Sequence, residues 1–186
     1  MRILITGTTG GIGGAVKRAA LAAGHAVIEV NRGDFDAFPS LGLDPIDGIV
    51  FTTGVCPVKP LTAMTDAELE ETFRVNCGLF VKLMRRIVGE KLNNPNGMKV
   101  VAISSVSATE GWAGGAAYCA SKGALSAVCR ALDAELKPKR ISVVALEPRY
   151  VKTRMFDTCA GRMGVDPACA RDPDEFAKEV VDECCR

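Results

Sequence analysis

Met1-Arg2-Ile3-Leu4-Ile5-Thr6-Gly7-Thr8-Thr9-Gly10-Gly11-Ile12-Gly13 opens the chain. An apolar run that reads as a strand, residues 2–6, gives way to glycines and then to a helix pattern from about Ile12 to Ala23, stopped by Gly24. Glycines at such a junction let the backbone turn tightly and approach a pyrophosphate seated on the helix N-terminus. The glycines fall as GxxxGxG, not as the dinucleotide fingerprint GxGxxG. Alone, the run also suits a plain strand-to-helix turn. Its place in the first βα unit favours phosphate binding.

Further along, short β-rich runs alternate with helical patterns. His25–Asn31, Gly48–Thr52, Lys99–Ser104 and Ile141–Leu146 read as strands, near-continuously apolar as strands covered on both faces are. Thr65-Asp66-Ala67-Glu68 is a capping box, which predicts a helix from Asp66 to about Leu92. Ala116–Leu136 reads as a long helix, and Asp172-Pro173-Asp174-Glu175 opens a last one with proline at its first position. Residues 154–172 read as loop-rich. The alternation predicts an α/β fold, a doubly wound parallel sheet in a single domain over residues 1–186.

With 23 basic and 22 acidic residues, the net charge is +1 and no basic stripe is visible. That argues against nucleic acid or a membrane surface as partner. The N-terminal apolar run is too short for a signal peptide or a membrane span. Eight cysteines show no CxxC spacing and His25 is the lone histidine, so no metal-ligand set is expected. Reduced thiols in a cytoplasmic protein are the expectation; a redox role for the adjacent Cys184-Cys185 has weaker support.

Tyr118-Cys119-Ala120-Ser121-Lys122 lies near the start of a helix. Positions i and i+4 share a helix face, so phenol and ammonium can enter one pocket. A free tyrosine titrates near ~10, and a nearby cation lowers that value toward useful acid–base range. The bland alternative is a half-buried tyrosine beside a solvated lysine. Ser105 lies thirteen residues before Tyr118, at a strand C-terminus, where open α/β sheets place ligands. Its hydroxyl would fix a substrate oxygen; Ser104 competes for the role.

In this order, the glycine loop, Asn76 in Val75-Asn76-Cys77-Gly78, Ser105, the Tyr118/Lys122 pair and Pro148-Arg149-Tyr150-Val151-Lys152-Thr153 resemble the short-chain dehydrogenase/reductase family. The similarity is to its compact TGxxxGxG/YxxxK branch and runs from about residue 2 to 183. It implies a Rossmann-like fold and hydride transfer between NADP(H) or NAD(H) and a small carbonyl or alcohol. Gly7, Gly11, Ile12 and Gly13 would hold the cofactor phosphates, with Thr9 beside them. Tyr118 would be the acid–base residue, and Lys122 would tune it and hold the nicotinamide ribose. Ser105 would orient the substrate, and Asn76 would serve a water-linked proton relay to Lys122. Pro148, Val151 and Thr153 would lie at the nicotinamide, with Thr52 and Gly54 lining the cofactor on the other side.

The departures are as informative. The family's Asn-Asn-Ala-Gly segment is Phe51-Thr52-Thr53-Gly54 here, so a hydroxyl replaces an amide at Thr52. Pro148-Arg149 replaces Pro-Gly, leaving Arg149 either a solvated loop residue or a contact for an anion. The second strand ends in Asn31-Arg32, neutral then cationic, which suits the extra phosphate of NADP; Glu29 is the residue that would restore NAD. About fifteen residues separate Arg32 from Gly48, so Gly33-Asp34-Phe35-Asp36 is left as a vestigial strand with Asp34 near the adenine. With the family's last strand also missing, five or six strands shortened at both edges are expected. The apolar residues Met155, Phe156 and Met163 fall in the substrate-covering region.

The helices at 66–92 and 115–136 match those that pair across subunits in the family, which implies a homodimer. Two other functions stand beside the oxidoreductase. A non-catalytic NADP(H)-binding sensor is motivated by Thr52, Arg149 and the trimmed edges. An extended-branch epimerase or dehydratase would need another glycine spacing and a larger C-terminal domain.

Overall fold

The computed structural model describes residues 1–35 and 45–186. Five parallel strands form one sheet in the order β2-β1-β3-β4-β5: β1 Arg2–Thr6, β2 Ala26–Val30, β3 Gly48–Phe51, β4 Met98–Ile103 and β5 Ile141–Leu146. Successive side chains on a strand point to opposite faces, and here both faces are covered. Ile3, Ile5, Val50, Val101 and Ile103 meet α1 (Gly11–Ala22) and α6 (Pro173–Cys185) on one side. Leu4, Ile49, Phe51, Val100 and Ala102 meet α3 (Leu79–Gly89) and α4 (Ala116–Leu136) on the other. This two-sided burial is why the central strands β1, β3 and β4 read as near-continuous apolar runs.

The helix expected from Asp66 to about Leu92 forms in three pieces. Its N-terminus is capped as predicted: Thr65 Oγ1 accepts from the Glu68 amide at 3.3 Å, and the Glu68 carboxylate accepts from the Thr65 amide at 3.1 Å. α2 (Asp66–Phe73) then runs into a π turn, Arg74–Gly78, before α3 begins. Val75 and Asn76 of that turn are fully buried.

Two expectations are corrected. Residues 154–172 are not mainly loop: α5 spans Arg154–Met163, with the Thr153 hydroxyl accepting from the Phe156 amide and Gly164 taking a left-handed conformation at its end. Phe156, Cys159 and Ala160 recur at helical spacing and are buried, the amphipathic pattern that overrides the region's polar composition. Arg32–Asp34 is a 3₁₀ turn in place of the vestigial strand. The Asp34 carboxylate is spent on the Asn31 amide, at 2.6 Å, and does not line the cavity below. Asp36 of that expectation lies outside the described residues.

Candidate active site

The C-terminal ends of β1, β3 and β4 open into a cavity of about 490 Å³, where ligands of open α/β sheets bind. Gly7, Thr9, Gly11, Ile12, Gly13, Asn31, Arg32, Thr52, Gly54, Tyr118, Lys122 and Thr153 all line it. A smaller cavity of about 90 Å³ adjoins it, lined by Ser105, Pro148, Val151, Trp112, Cys56 and Cys159 among others. Tyr118, Ile12, Ser104, Thr153 and Met155 border both. Pro148 and Val151 thus sit on the smaller cavity, and Asn76 lies behind the wall, on neither.

The glycine loop is shaped by close approach. Gly7 has φ +66°, a left-handed conformation that favours glycine. A Cβ on Gly13 would stand 2.2 Å from the Gly7 carbonyl oxygen and 2.5 Å from Thr52 Oγ1. One on Gly11 would stand 2.5 Å from Thr153 Cγ2. The N-cap of α1 is Gly10, which supplies no capping side chain, and the first turn carries no acid. The helix N-terminus therefore offers amides and a positive dipole end to an anion. This cradle suits a dinucleotide, whose phosphates Gly7–Gly13 would hold and whose adenosine end Asn31 and Arg32 would meet.

Thr52 has a definite partner: its hydroxyl donates to the Thr6 carbonyl at 2.5 Å, and its amide donates to Thr6 Oγ1 at 3.0 Å. Thr53 Oγ1 also reaches Thr6 Oγ1, at 2.9 Å. The hydroxyls of Thr6, Thr52 and Thr53 thus join β1 to the end of β3. Glu29 is engaged away from the cavity, by the Thr8 hydroxyl at 2.6 Å and Lys17 Nζ at 2.5 Å. Arg149 pairs with Glu110 through two contacts of 2.8 and 3.2 Å.

Around Tyr118 the polar groups are specifically placed. The Ser105 hydroxyl lies near enough to the Tyr118 phenol to favour its charged form, while Ser105 Oγ accepts from the Ser107 amide at 3.1 Å. Ser104 turns the other way: its hydroxyl donates to the Lys122 carbonyl at 3.1 Å and meets Ser126 Oγ at 2.8 Å. Of the two serines, Ser105 is the one whose hydroxyl influences the phenol. Trp112 Nε1 donates to Ser107 Oγ at 3.1 Å, and its ring lies 6.3 Å from that of Tyr118. Composition offered no signal for Trp112 or Ser107; only the fold brings them here.

Lys122 Nζ donates to the Ile103 carbonyl at 2.8 Å and lies 5.8 Å from the centre of the Tyr118 ring. Asn76 donates through Nδ2 to the Val55 carbonyl and to Ser121 Oγ, both at 2.9 Å, and accepts from the Val55 amide at 2.8 Å. Gly54 packs between the two, so that a Cβ there would be 3.4 Å from Asn76 Oδ1 and 3.6 Å from Lys122 Nζ.

Electrostatically, the expectation that Lys122 lowers the phenol's pKa is corrected. Burial pushes Tyr118 above its ordinary range, with the nearby Ser105 hydroxyl acting the other way. Burial also pulls the Lys122 ammonium down from 10.5 to about 8. A value below the unfolded one means that the charged form costs folding free energy, a cost relieved as pH rises through the folded pKa. Relative to Lys122→Met, the parent should therefore gain stability between pH ~8 and ~10. Denaturant midpoints of both proteins across that interval check the sign; parallel curves would refute it.

Among the described residues, no helix is long and apolar enough to cross a membrane, and no group of histidine, cysteine, aspartate and glutamate is arranged to hold a metal. The family model "short chain dehydrogenase" matches residues 40–162. L-xylulose reductase of Bos taurus is 26% identical over 178 residues, covering 83% of this chain and 73% of that protein. An Agrobacterium tumefaciens protein assigned as a 2-deoxy-D-gluconate 3-dehydrogenase and solved with bound NADP superposes with TM-score 0.85 at 20% identity, over 99% of this chain and 88% of that one. A Brucella melitensis 3-ketoacyl-(acyl-carrier-protein) reductase complexed with NADH does so with TM-score 0.80 at 21% identity, over 98% and 90%. Two-thirds of the chain therefore falls within the matched model, and the chain belongs to the short-chain dehydrogenase family of oxidoreductases.

Proposed function

We propose that this protein transfers a hydride between NADP(H), with NAD(H) as a possible substitute, and a small carbonyl or alcohol. The observation that carries the reading is the position of Tyr118 on the wall shared by the two cavities, with Ser105 beside its phenol. The cofactor, bound in the larger cavity, supplies or accepts the hydride. The chain's own residues handle the oxygen and its proton. Ser105 holds the substrate oxygen, and Tyr118, kept protonated by burial, donates to it as a carbonyl is reduced. Lys122 fixes the ribose and supplies positive charge beneath the ring. Asn76 holds the loop after β3 against Ser121 and would serve a water-linked proton relay to Lys122.

Arg32 at the larger cavity and the diversion of Glu29 to Thr8 and Lys17 support NADP(H) over NAD(H). Steady-state rates with NADPH and NADH over a carbonyl panel test this. NADPH should be preferred, and Arg32→Ala should erase most of that preference; an intrinsic preference for NADH would sink the assignment. The sensor alternative loses its two local motives, because Thr52 has a partner and Arg149 is tied to Glu110.

The chain is further read as a cytoplasmic homodimer. Its eight cysteines are free, which suits a reducing compartment. Leu69, Phe73 and Val81 are exposed on α2 and α3, apolar surface that a pairing of α2–α3 and α4 between subunits would cover. Light scattering should return a dimer mass. A clean monomer contradicts the pairing.

A further inference from the structure

Cys56 and Cys159 lie 103 residues apart in sequence and meet in the smaller cavity. Cys56 stands in the loop after β3, and Cys159 is on the buried face of α5. Cys159 Sγ donates to the Cys56 carbonyl oxygen at 3.8 Å, and the two thiols are near enough to perturb each other's titration. The acid–base chemistry assigned to Tyr118, Ser105 and Lys122 uses neither of them. The other cysteines are differently placed. Cys184 is sealed against β3, where a Cβ on Gly48 would stand 2.6 Å from its sulfur, and Cys185 faces His25 at the surface.

We propose that Cys56 and Cys159 form a thiol–disulfide modification site, in which a small hydroperoxide entering the substrate-side cavity converts the pair to a disulfide that pins α5 to the loop after β3. The two thiols are unequally poised for this. The neighbouring Cys159 and burial hold the Cys56 thiol protonated, above its ordinary range. The Cys56 thiol beside it, helped by Arg162, pulls Cys159 below its ordinary range. A thiolate is the nucleophile in such chemistry, and Cys184, pushed up to about 12 by burial, is poorly suited to it.

In the first step the Cys159 thiolate attacks one peroxide oxygen, the O–O bond breaks, and hydroxide (or alkoxide) leaves with its electron pair. Cys159 becomes a sulfenic acid, oxidised by two electrons as the peroxide is reduced. Cys56 then gives up its proton and attacks that sulfur, the S–O bond breaks, and water leaves. Overall, two thiols and one hydroperoxide yield one disulfide, one water and one water or alcohol. Thiol–disulfide exchange with an external thiol reverses the change.

The test is a peptide map of the folded wild-type protein after hydrogen peroxide treatment, digested with trypsin without reductant. Because Lys59 precedes proline, Cys56 falls in the peptide 33–74 and Cys159 in 155–162, each with no second cysteine. The expected product is these two peptides joined, two hydrogens lighter than their sum and separated again by dithiothreitol. Cys159→Ser should lose this product, while Cys184→Ser should keep it. Cys159 oxidised to sulfinic acid without the link, or a dominant link through Cys184 or Cys185, would overturn the proposal. The map does not depend on turnover, so it stands or falls apart from the oxidoreductase reading. Only a reversible loss of turnover on oxidation rests on that reading.

Discussion

Tyr118→Phe should lower turnover by roughly 10²–10⁴-fold, the usual worth of a positioned general acid, while leaving NADP(H) binding nearly unchanged. The substitution removes one oxygen and keeps the ring. Its tilted contact with Trp112 and its position near Lys122 Nζ depend on the ring, not the hydroxyl. The larger cavity therefore keeps its shape. What disappears is the proton donor, and Ser105 loses the phenol as a partner. Single-turnover rates with a reactive carbonyl, beside a fluorescence titration of NADPH, separate chemistry from binding. Unchanged turnover would remove Tyr118 from its role. Loss of NADPH binding as well would mean that the hydroxyl is structural.

Gly13→Ala is expected to be the most damaging alanine substitution among the described glycines. Its Cβ would overlap the Gly7 carbonyl oxygen and Thr52 Oγ1. Neither neighbour is free to yield: the Gly7 carbonyl accepts from the Gly10 amide at 2.9 Å, and the Thr52 hydroxyl is committed to Thr6. Relief requires moving backbone at the glycine loop, an overpacking cost of about 1–3 kcal/mol, and the moved loop no longer presents its amides to a pyrophosphate. A lowered denaturation midpoint together with lost NADPH binding is the expected pair of results. Gly161→Ala on α5, where an added Cβ meets nothing within 4 Å, is the matched control and should be neutral or slightly stabilising. A Gly13→Ala protein that binds NADPH normally would show that the loop is looser than its contacts imply.

Much of this architecture is legible in the sequence because it rests on local rules. Strands buried on both faces betray themselves as apolar runs, the Thr65 capping box marks its helix start, and the opening glycines sit where only a turn into α1 fits. α5 was hidden because its buried positions are few and its exposed ones polar, although Thr153 before the helix and Gly164 after it are ordinary cap residues. The site was legible as residue types at spacings, but its division of labour was not. Ser104 and Ser105 are indistinguishable until the end of β4 turns one toward the Lys122 carbonyl and Ser126 and the other toward Tyr118. The direction in which the Tyr118 pKa moves depends on burial, which spacing does not encode, so the i+4 lysine suggested the wrong sign. Cys56 and Trp112 carried no local signal, since their neighbours come from distant segments.

The π turn at Arg74–Gly78 ties two requirements together. An α-helix advances about 100° per residue, and a π turn inserts one residue without lengthening the helix by a full step. Everything after it is therefore out of phase with what came before. That offset is what aims Leu79, Phe80, Leu83, Met84 and Ile87 at the sheet while Asn76 still points at the Val55 backbone and Ser121. Deleting any one residue from this turn would restore regular winding and rotate one set or the other by roughly a quarter of the circumference. The spacing between Asn76 and the apolar face of α3 is thus fixed to the residue.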